Sequence, residues 1–142
     1  MKFDHIGIVA ESLELGRKGL RDCFLIQEWG AEFSDSVNGV YVQFGRDAVG
    51  VCYEIIAPLC ENSPVQSALY GKCNILNHVA YLVKDLAAEQ ARLRAVGVRP
   101  VAPAKPAVAY GGKRIQFFVS PMCFILELIE AYDHEHSFSL PG

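Results

Sequence analysis

Two histidines and two glutamates occur in this sequence at one repeated spacing. His5 precedes Glu54 by 49 residues, and His78 precedes Glu127 by 49 residues as well. All four lie in apolar runs typical of strands, where glutamate is unfavourable and a buried carboxylate needs a partner or a metal ion. Two imidazoles and two carboxylates that converge would form a mixed nitrogen and oxygen site suited to a divalent transition metal.

Each of these residues also has a simpler explanation when it is considered alone. A glutamate in a half-buried strand often points to water, and a single histidine in an apolar strand is often a core residue. The doubled spacing favours the metal site, because two like modules packed about a pseudo-twofold axis would bring equivalent strand positions together. Four protein ligands in an open arrangement would leave room for water or for a bidentate substrate.

The offset of 73 residues between His5 and His78 relates other positions too. Self-similarity at a fixed period is the sequence signature of a repeated structural unit. The sequence therefore predicts two copies of one module. Without any gap, the offset matches Ser12 with Asp85, Leu20 with Leu93, Gly39 with Gly112, Gln43 with Gln116, and residues 53–56 with 126–129.

Each half is predicted to fold as a strand, a helix and three more strands. The strands of the first half cover 3–9, 28–34, 38–45 and 50–57, and its helix covers 12–26. The strands of the second half cover 76–83, 98–102, 113–119 and 123–130, and its helix covers 85–96 before Gly97. Helical turns are expected near 63–66, and residues 100–112 form a candidate lid. The predicted units are a first module at 1–58, a connector at 59–75, a second module at 76–131 and a tail at 132–142.

Three further side chains are candidates for binding a substrate. Gln43 and Gln116 occupy equivalent strand positions and could bond a substrate or a ligand, although an ordinary polar face explains them as well. Lys113 lies beside the candidate lid, where a cation could meet a carboxylate or a phosphate, or simply face water. The tail segment Asp133-His134-Glu135-His136 resembles a chelating sequence, but its place near the chain end predicts a solvated segment.

Composition excludes several classes of protein. The chain has 142 residues, of which 51% are hydrophobic, and this suits one globular domain or two small modules that share a core. A net charge of −3 without a basic cluster argues against nucleic acid as a partner. The start of the chain lacks the apolar core of a signal peptide, and charges interrupt every apolar run, so no membrane span is expected. Five cysteines without a C-x-x-C pair predict a reduced, cytoplasmic protein.

The motifs around these residues resemble the vicinal oxygen chelate superfamily, which includes glyoxalase I, methylmalonyl-CoA epimerase, extradiol dioxygenases and drug-binding resistance proteins. The resemblance extends from Phe3 to about Glu130. It implies paired βαβββ modules in an α+β fold, with a curved, mixed and mostly antiparallel sheet around a central metal. It also places His5, Glu54, His78 and Glu127 where metal-bound members carry ligands. The motifs that carry it are Asp4-His5-Ile6-Gly7, Asn77-His78-Val79-Ala80, Gly111-Gly112-Lys113-Arg114-Ile115 and Ile125-Leu126-Glu127-Leu128.

Among the branches, the chain is most similar to the methylmalonyl-CoA epimerase group. The supporting segments are residues 54–58, 63–65 and 111–121. There are two departures from that group. Some epimerases carry glutamine where this chain has Glu54, and the His/Glu/His/Glu set is familiar from bacterial glyoxalase I. The group can also carry a second catalytic glutamate after Gly39, whereas residues 40–44 hold no carboxylate, so the resemblance does not extend to a two-base mechanism.

The resemblance implies an enzyme, namely a metal-dependent isomerase, epimerase or lyase of the glyoxalase type. Such an enzyme enolises a substrate that chelates through two oxygens, for example a 2-acyl-CoA thioester, with Glu127 as the base and Glu54 as the alternative base. The alternatives are a binding protein of the drug-resistance type, a lactoylglutathione lyase and a dioxygenase. The metal could be Zn, Ni, Co, Mn or Fe. A homodimer is expected, and the sequence leaves open whether the site lies within one chain or across a dimer.

Overall fold

The computed structural model describes residues 1–71 and 76–141, and it confirms the predicted α+β class. Each half of the chain contributes a strand, a helix and further strands, in that order. The elements are β1 (Lys2–Val9), α1 (Leu13–Phe24), β2 (Glu28–Asp35), β3 (Val40–Arg46), β4 (Cys52–Pro58), α2 (Gln66–Gly71), β5 (Leu76–Leu82), α3 (Leu86–Ala95), β6 (Arg99–Pro100), β7 (Lys105–Pro106), a 3₁₀ turn at Val108–Tyr110, β8 (Arg114–Val119), β9 (Ile125–Ile129) and β10 (Leu140–Pro141).

Over the described residues, the strands form one open, curved sheet with the order β10-β2-β3-β4-β1-β5-β9-β8-β6, and β7 pairs with β8. The first strands of the two halves, β1 and β5, pair antiparallel at the centre. Each is flanked by the last strand of its own half in parallel, β4 beside β1 and β9 beside β5. The strand order on one side of the β1–β5 pair therefore mirrors the order on the other side.

The two longer helices cover one face of this sheet. Each begins with a side-chain cap, since Ser12 accepts from the backbone N–H of residue 15 and Asp85 accepts from that of residue 88. Helix α1 packs Leu13 and Leu20 on the first half, and α3 packs Leu86 and Leu93 on the second. The opposite face is left for the site. No helix in the described ranges combines the length and the apolar character that a bilayer crossing requires.

The observed bounds differ from the predicted ones where the backbone turns sharply. Helix α1 ends at Phe24 rather than at 26, because Leu25 is left-handed with φ 59° and caps the helix. Strand β9 begins at Ile125 rather than at 123, because Cys123 has φ 65° in a turn. The predicted strand at 98–102 shrinks to Arg99–Pro100.

The connector and the candidate lid also depart from expectation. The connector helix begins at Gln66, and Ser63 instead forms a backbone turn with Cys60. Part of the predicted connector, residues 72–75, lies outside the described residues. The candidate lid at 100–112 is more regular than a loop, since it holds β7 and the 3₁₀ turn and ends in two left-handed glycines, Gly111 and Gly112.

Candidate metal centre

A β-bulge sets the direction of the side chains at the start of β1. Phe3 pairs with Tyr81 and His5 pairs with Ala80, so Asp4 is an extra residue on this strand. Bulges re-aim side chains relative to the regular alternation of a strand. Here Asp4 and His5 are both buried, and their side chains contact each other.

The second half repeats this device on β5. Gly7 pairs with His78 and Ile8 pairs with Leu76, so Asn77 is the extra residue. The His78 ring lies directly over Gly7, where an added Cβ would come within 2.1 Å of Cε1 of His78. The glycine is therefore needed for the ring to reach the centre of the sheet.

The four predicted ligands meet at this point, and all four are buried. Nε2 of His5 lies 3.0 Å from Nε2 of His78 and 3.5 Å from Oε2 of Glu54. Oε1 of Glu127 lies 3.1 Å from Nε2 of His5 and 3.3 Å from Nε2 of His78, and Oε1 of Glu54 lies 3.9 Å from the latter. Strands β1, β4, β5 and β9, adjacent at the middle of the sheet, supply one ligand each.

Hydrogen bonds at the far side of each ring orient the two imidazoles. Nδ1 of His5 lies 2.7 Å from Oδ2 of Asp4, and Nδ1 of His78 lies 2.9 Å from Oδ1 of Asn77. Both partners are acceptors, so each Nδ1 carries the proton and each Nε2 presents a lone pair to the centre. Two lone pairs that face each other at 3.0 Å need a cation or a proton between them.

The spacing and the charge of the cluster fit a divalent ion. Neighbouring donors on one ion, each about 2.1 Å from it, are roughly 3 Å apart, close to the separations found here. Within the described part of the chain, the buried Oε1 of Glu127 accepts no hydrogen bond, although it points into the cluster. An orphaned carboxylate oxygen beside two imidazole lone pairs is the donor set that a transition metal prefers.

The pKa values of the four groups are strongly perturbed. Burial by itself lowers the pKa of His5, but Glu54, Asp4 and Glu127 outweigh it and raise this pKa to about 10. Burial raises the pKa of Glu54 to about 8, against the opposing charge of His5. Burial also raises the pKa of Glu127, but the close contacts with both histidines prevail and lower it. For His78, burial prevails and lowers the pKa. The negative groups therefore favour a positive charge at the centre.

Asp4 connects this cluster to the candidate lid and to the tail. Its Oδ2 accepts from the Tyr110 hydroxyl at 2.5 Å, and its two oxygens lie 3.0 and 2.9 Å from Nε2 of His136. Burial raises the pKa of Asp4, but the bonds to His136 and His5 more than offset it and hold this pKa well below its usual range. The expectation of a solvated tail is wrong for His136, because this residue is half-buried and bonded to Asp4.

A cavity of about 460 Å³ opens onto Glu54 and Glu127. Both halves of the sheet, α2 and the candidate lid form its walls, which are largely apolar. Asn77 also borders it, so the amide that orients His78 lies next to the space for a ligand. The apolar wall includes Val40, Val42, Ile56, Val65, Ala107, Ile115 and Phe117.

Gln43 does not line this cavity. Its Nε2 donates to the carbonyl oxygen of Gly30, and its Oε1 accepts from Arg17 of α1 at 2.6 Å. The side chain thus faces the helix-covered side of the sheet. This placement argues against the predicted substrate contact, because neighbours in a strand alternate between faces and Val42 takes the cavity side.

The other two residues predicted to contact a substrate are Gln116 and Lys113, and neither presents a free side chain to the main cavity. Gln116 borders the cavity, but its Nε2 donates to the carbonyl oxygen of Ala102 at 2.8 Å and its Oε1 accepts from Gln90 of α3. Both ends of its amide are therefore engaged within the protein. Lys113 is exposed and borders a second depression beside Lys84 and residues 130–134, away from the main cavity.

Reasoning from the sequence missed the residues behind the histidines. Asp4 and Asn77 each directly precede a histidine and are related by the same 73-residue offset. An acid and an amide at equivalent positions in apolar strands were the available signal. Nothing in the spacing pointed to Tyr110, since its position in the first half, residue 37, is a valine.

The fold and the site define a class of protein. The chain belongs to the Glyoxalase/Bleomycin resistance protein/Dioxygenase superfamily, whose family model matches residues 4–117. An ethylmalonyl-CoA/methylmalonyl-CoA epimerase of Cereibacter sphaeroides is 28% identical over 117 residues, which cover 82% of this chain and 86% of that protein. The resemblance that the motifs indicated is confirmed at the level of the superfamily.

Solved structures of similar proteins carry the same fold. A methylmalonyl-CoA epimerase from Mycobacterium tuberculosis matches with a TM-score of 0.70 at 25% identity, over 90% of this chain and 86% of that chain. A variant of the Streptomyces coelicolor methylmalonyl-CoA epimerase, in complex with 2-nitronate-propionyl-CoA, matches with a TM-score of 0.74 at 24% identity, over 95% and 97%. The expected homodimer and the cytoplasmic location stay predictions.

Proposed function

We propose that this protein is a metal-dependent epimerase or isomerase that moves the α-proton of a 2-acyl thioester such as methylmalonyl-CoA. The relatives named above support the substrate class, since their names specify methylmalonyl-CoA or ethylmalonyl-CoA. The largely apolar cavity supports it as well, because it can enclose the alkyl part of such a thioester beside the charged cluster.

The single observation that carries the proposal is that two imidazoles and two buried carboxylates meet at one point. Nε2 of His5 and Nε2 of His78 are 3.0 Å apart, and an oxygen of Glu127 lies within 3.3 Å of both. His5, Glu54, His78 and Glu127 would hold the ion. When bound, a divalent ion would supply the positive charge that makes the α-hydrogen of an oxygen-chelating substrate acidic.

The residues of this chain would then move the proton. Glu127 is the base we assign, because its buried Oε1 faces both imidazoles and the residue lines the cavity in which a substrate would lie. Glu54 lies opposite and also borders the cavity, so it can keep a negative charge at the centre while Glu127 holds the proton. The apolar walls would exclude water from this exchange.

One feature favours a second candidate, a glyoxalase-type isomerisation of a hemithioacetal. Glu54 stands where some epimerases carry glutamine, and it completes a His/Glu/His/Glu set. That reaction also begins with removal of a carbon-bound proton by a carboxylate, but it returns the proton to the neighbouring carbon. The two reactions therefore differ in the substrate consumed.

Deuterium exchange tests both candidates. Protein purified without chelator and loaded in turn with Zn²⁺, Co²⁺, Ni²⁺ or Mn²⁺ would be incubated in heavy water with methylmalonyl-CoA or with the hemithioacetal of methylglyoxal and glutathione. We expect metal-dependent loss of the α-proton from the thioester. Exchange from the hemithioacetal alone would move the assignment to the second candidate, and a protein that binds no metal would overturn both.

A matched pair of variants tests the base. Glu127→Gln keeps an oxygen donor but removes the proton acceptor, so part of the metal should remain while exchange falls by about a hundredfold or more. Glu54→Gln, the equivalent change in the first half, should retain more of the exchange. Near wild-type exchange by metal-loaded Glu127→Gln would contradict the assignment of the base.

A further inference from the structure

The tail ties the two halves of the protein together beside the metal centre. It leaves β9 at the middle of the sheet, turns at residues 131–134, and ends as β10, which pairs with β2 at the outer edge of the first half. On the way, the His136 ring packs 4.2 Å from the Phe44 ring and 5.8 Å from the Tyr110 ring, centroid to centroid. The tail is thus docked on the structure, with His136 inside an aromatic cluster.

Among the described residues, the hydrogen bonds from this tail to an ionised group of the site come from His136. Its Nε2 lies 2.9 Å from Oδ2 and 3.0 Å from Oδ1 of Asp4, and Oδ2 is also 2.7 Å from Nδ1 of His5. Asp4 is 8% exposed, so little water is available to replace a lost partner. His136 and the Tyr110 hydroxyl are the groups, besides His5, that hold this carboxylate in place.

We propose that His136 is a positioning residue of the metal centre, which acts on the ligand His5 through Asp4. The inference rests on the proposed function, because it requires that His5 bind an ion. A carboxylate behind a metal-bound histidine fixes the orientation of the ring and raises its basicity, and loss of such a partner typically weakens metal binding. His136 fixes that carboxylate in turn, so in this proposal the tail supports the metal centre through Asp4 rather than by supplying a ligand.

The link between tail and metal works in both directions. If His136 strengthens metal binding, then metal binding must stabilise the docked tail by the same factor, since coupling between two sites is reciprocal. The second histidine offers an internal reference. His78 is oriented by Asn77, and the tail makes no described bond to that amide. The effect of His136 should therefore pass through His5 alone.

Two substitutions separate the hydrogen bond from the aromatic packing. His136→Phe keeps a ring against Phe44 but removes the donor to Asp4, whereas His136→Gln restores an amide donor near the position of Nε2 but removes the ring. Glu135→Ala, at an exposed neighbouring position, is the control for any change in the tail. Affinity for Co²⁺ and Zn²⁺ would be measured by competition with a chromophoric chelator, together with the visible spectrum of the Co²⁺ protein and the melting temperature.

We expect His136→Phe to weaken metal binding by about threefold to tenfold, less than the loss of a partner bonded directly to the ligand. His136→Gln should recover most of the affinity and the Co²⁺ spectrum, and Glu135→Ala should match the wild type. Metal should also slow hydrogen exchange of the tail amides in the wild type more than in His136→Phe. Equal affinities for wild type and His136→Phe would overturn the inference while leaving the metal site intact, as would a Gln variant no better than Phe. A wild type that binds no metal would overturn the proposed function itself.

Discussion

The two histidines of the candidate metal centre are delivered by the same backbone device but have different partners. A bulge on β1 joins Asp4 with His5, and a bulge on β5 joins Asn77 with His78. The first partner is a buried carboxylate with bonds to the lid and the tail, and the second is a half-buried amide at the cavity wall. The repeated backbone sets where the candidate ligands lie, whereas the side chains behind them would set how strongly each histidine donates to an ion.

The two halves also differ at the residue that pairs with each histidine. The His78 ring covers Gly7, and the position equivalent to Gly7 in the second half is Ala80, which pairs with His5. The first half therefore has a glycine where the second tolerates a methyl group. A side chain at position 7 would clash with the His78 ring, whereas the methyl group of Ala80 is present beside His5.

The largest effect is expected from adding one methyl group to the first half. In Gly7→Ala the new Cβ would lie within 2.1 Å of Cε1 of His78, so the ring must move away from the other ligands. We expect metal binding to fall sharply and proton exchange to drop by about a hundredfold or more, since displacement of a reacting geometry by about 1 Å costs that much.

The matched control for that change is Ala80→Gly in the second half, which removes a methyl group and creates no clash. It should lower the melting temperature while keeping most of the metal affinity. If Gly7→Ala bound metal as tightly as Ala80→Gly does, metal binding would not require the absence of a side chain at position 7.

An intermediate effect is expected from making the two histidine pairs alike. Asp4→Asn gives His5 the same kind of neutral partner that His78 has, and it should weaken metal binding by about tenfold to a hundredfold. The mirrored change, Asn77→Asp, places a second carboxylate behind the other ring and should tighten binding. Titration with a chelating dye would measure both. Unchanged affinity in both variants, or tighter binding by Asp4→Asn, would show that the charge behind the histidine is not what distinguishes the halves.

The smallest effect concerns the start of α3. Glu130 accepts from the backbone N–H of Leu86 at 2.7 Å and pairs with Arg114, whereas the equivalent position in the first half is Ala57. Glu130→Gln should lower the free energy of unfolding by about 1 kcal/mol at neutral pH, a typical value for a partly exposed charged hydrogen bond. Metal affinity should be unchanged.

The pH dependence of this effect has a definite sign. The bond to the backbone of Leu86 lowers the pKa of Glu130 in the folded protein. Its contribution is therefore fully present above the ordinary pKa of a glutamate, 4.5, and it is lost as the pH falls through the lower folded value. Urea unfolding of wild type and Glu130→Gln across this acidic range should converge. A constant difference at all pH values would contradict the assignment to the carboxylate.

Much of the fold could be predicted because the sequence contains two copies of one module. A single offset of 73 residues aligned both helices and most strands, and the doubled spacing of 49 residues identified four side chains that the structure brings together. The repeat predicts these elements because apolar strands and helix caps depend on local residue types. The same pattern did not predict where β9 begins, because the left-handed residue Cys123 delays its start to Ile125.

The side chains around the ligands were less predictable. Gln43 and Gln116 each bond a residue of the helix in their own half, and the spacing of the sequence does not reveal these partners in α1 and α3. The docked tail was missed because its anchor, Asp4, is 132 residues from His136 in the sequence. Long-range hydrogen bonds of this kind are set by tertiary packing, and a single sequence carries little trace of them.

The antiparallel pairing of β1 with β5 has a consequence for how this site could change over generations. In an assembly of two identical chains, every substitution appears twice, and both sides of a shared centre must accept it. Here the two sides are covalently joined and encoded separately, so Asp4 and Asn77 can be selected independently. A chain with two joined halves can therefore carry a charged residue behind one histidine and a neutral residue behind the other. An assembly of two identical chains cannot.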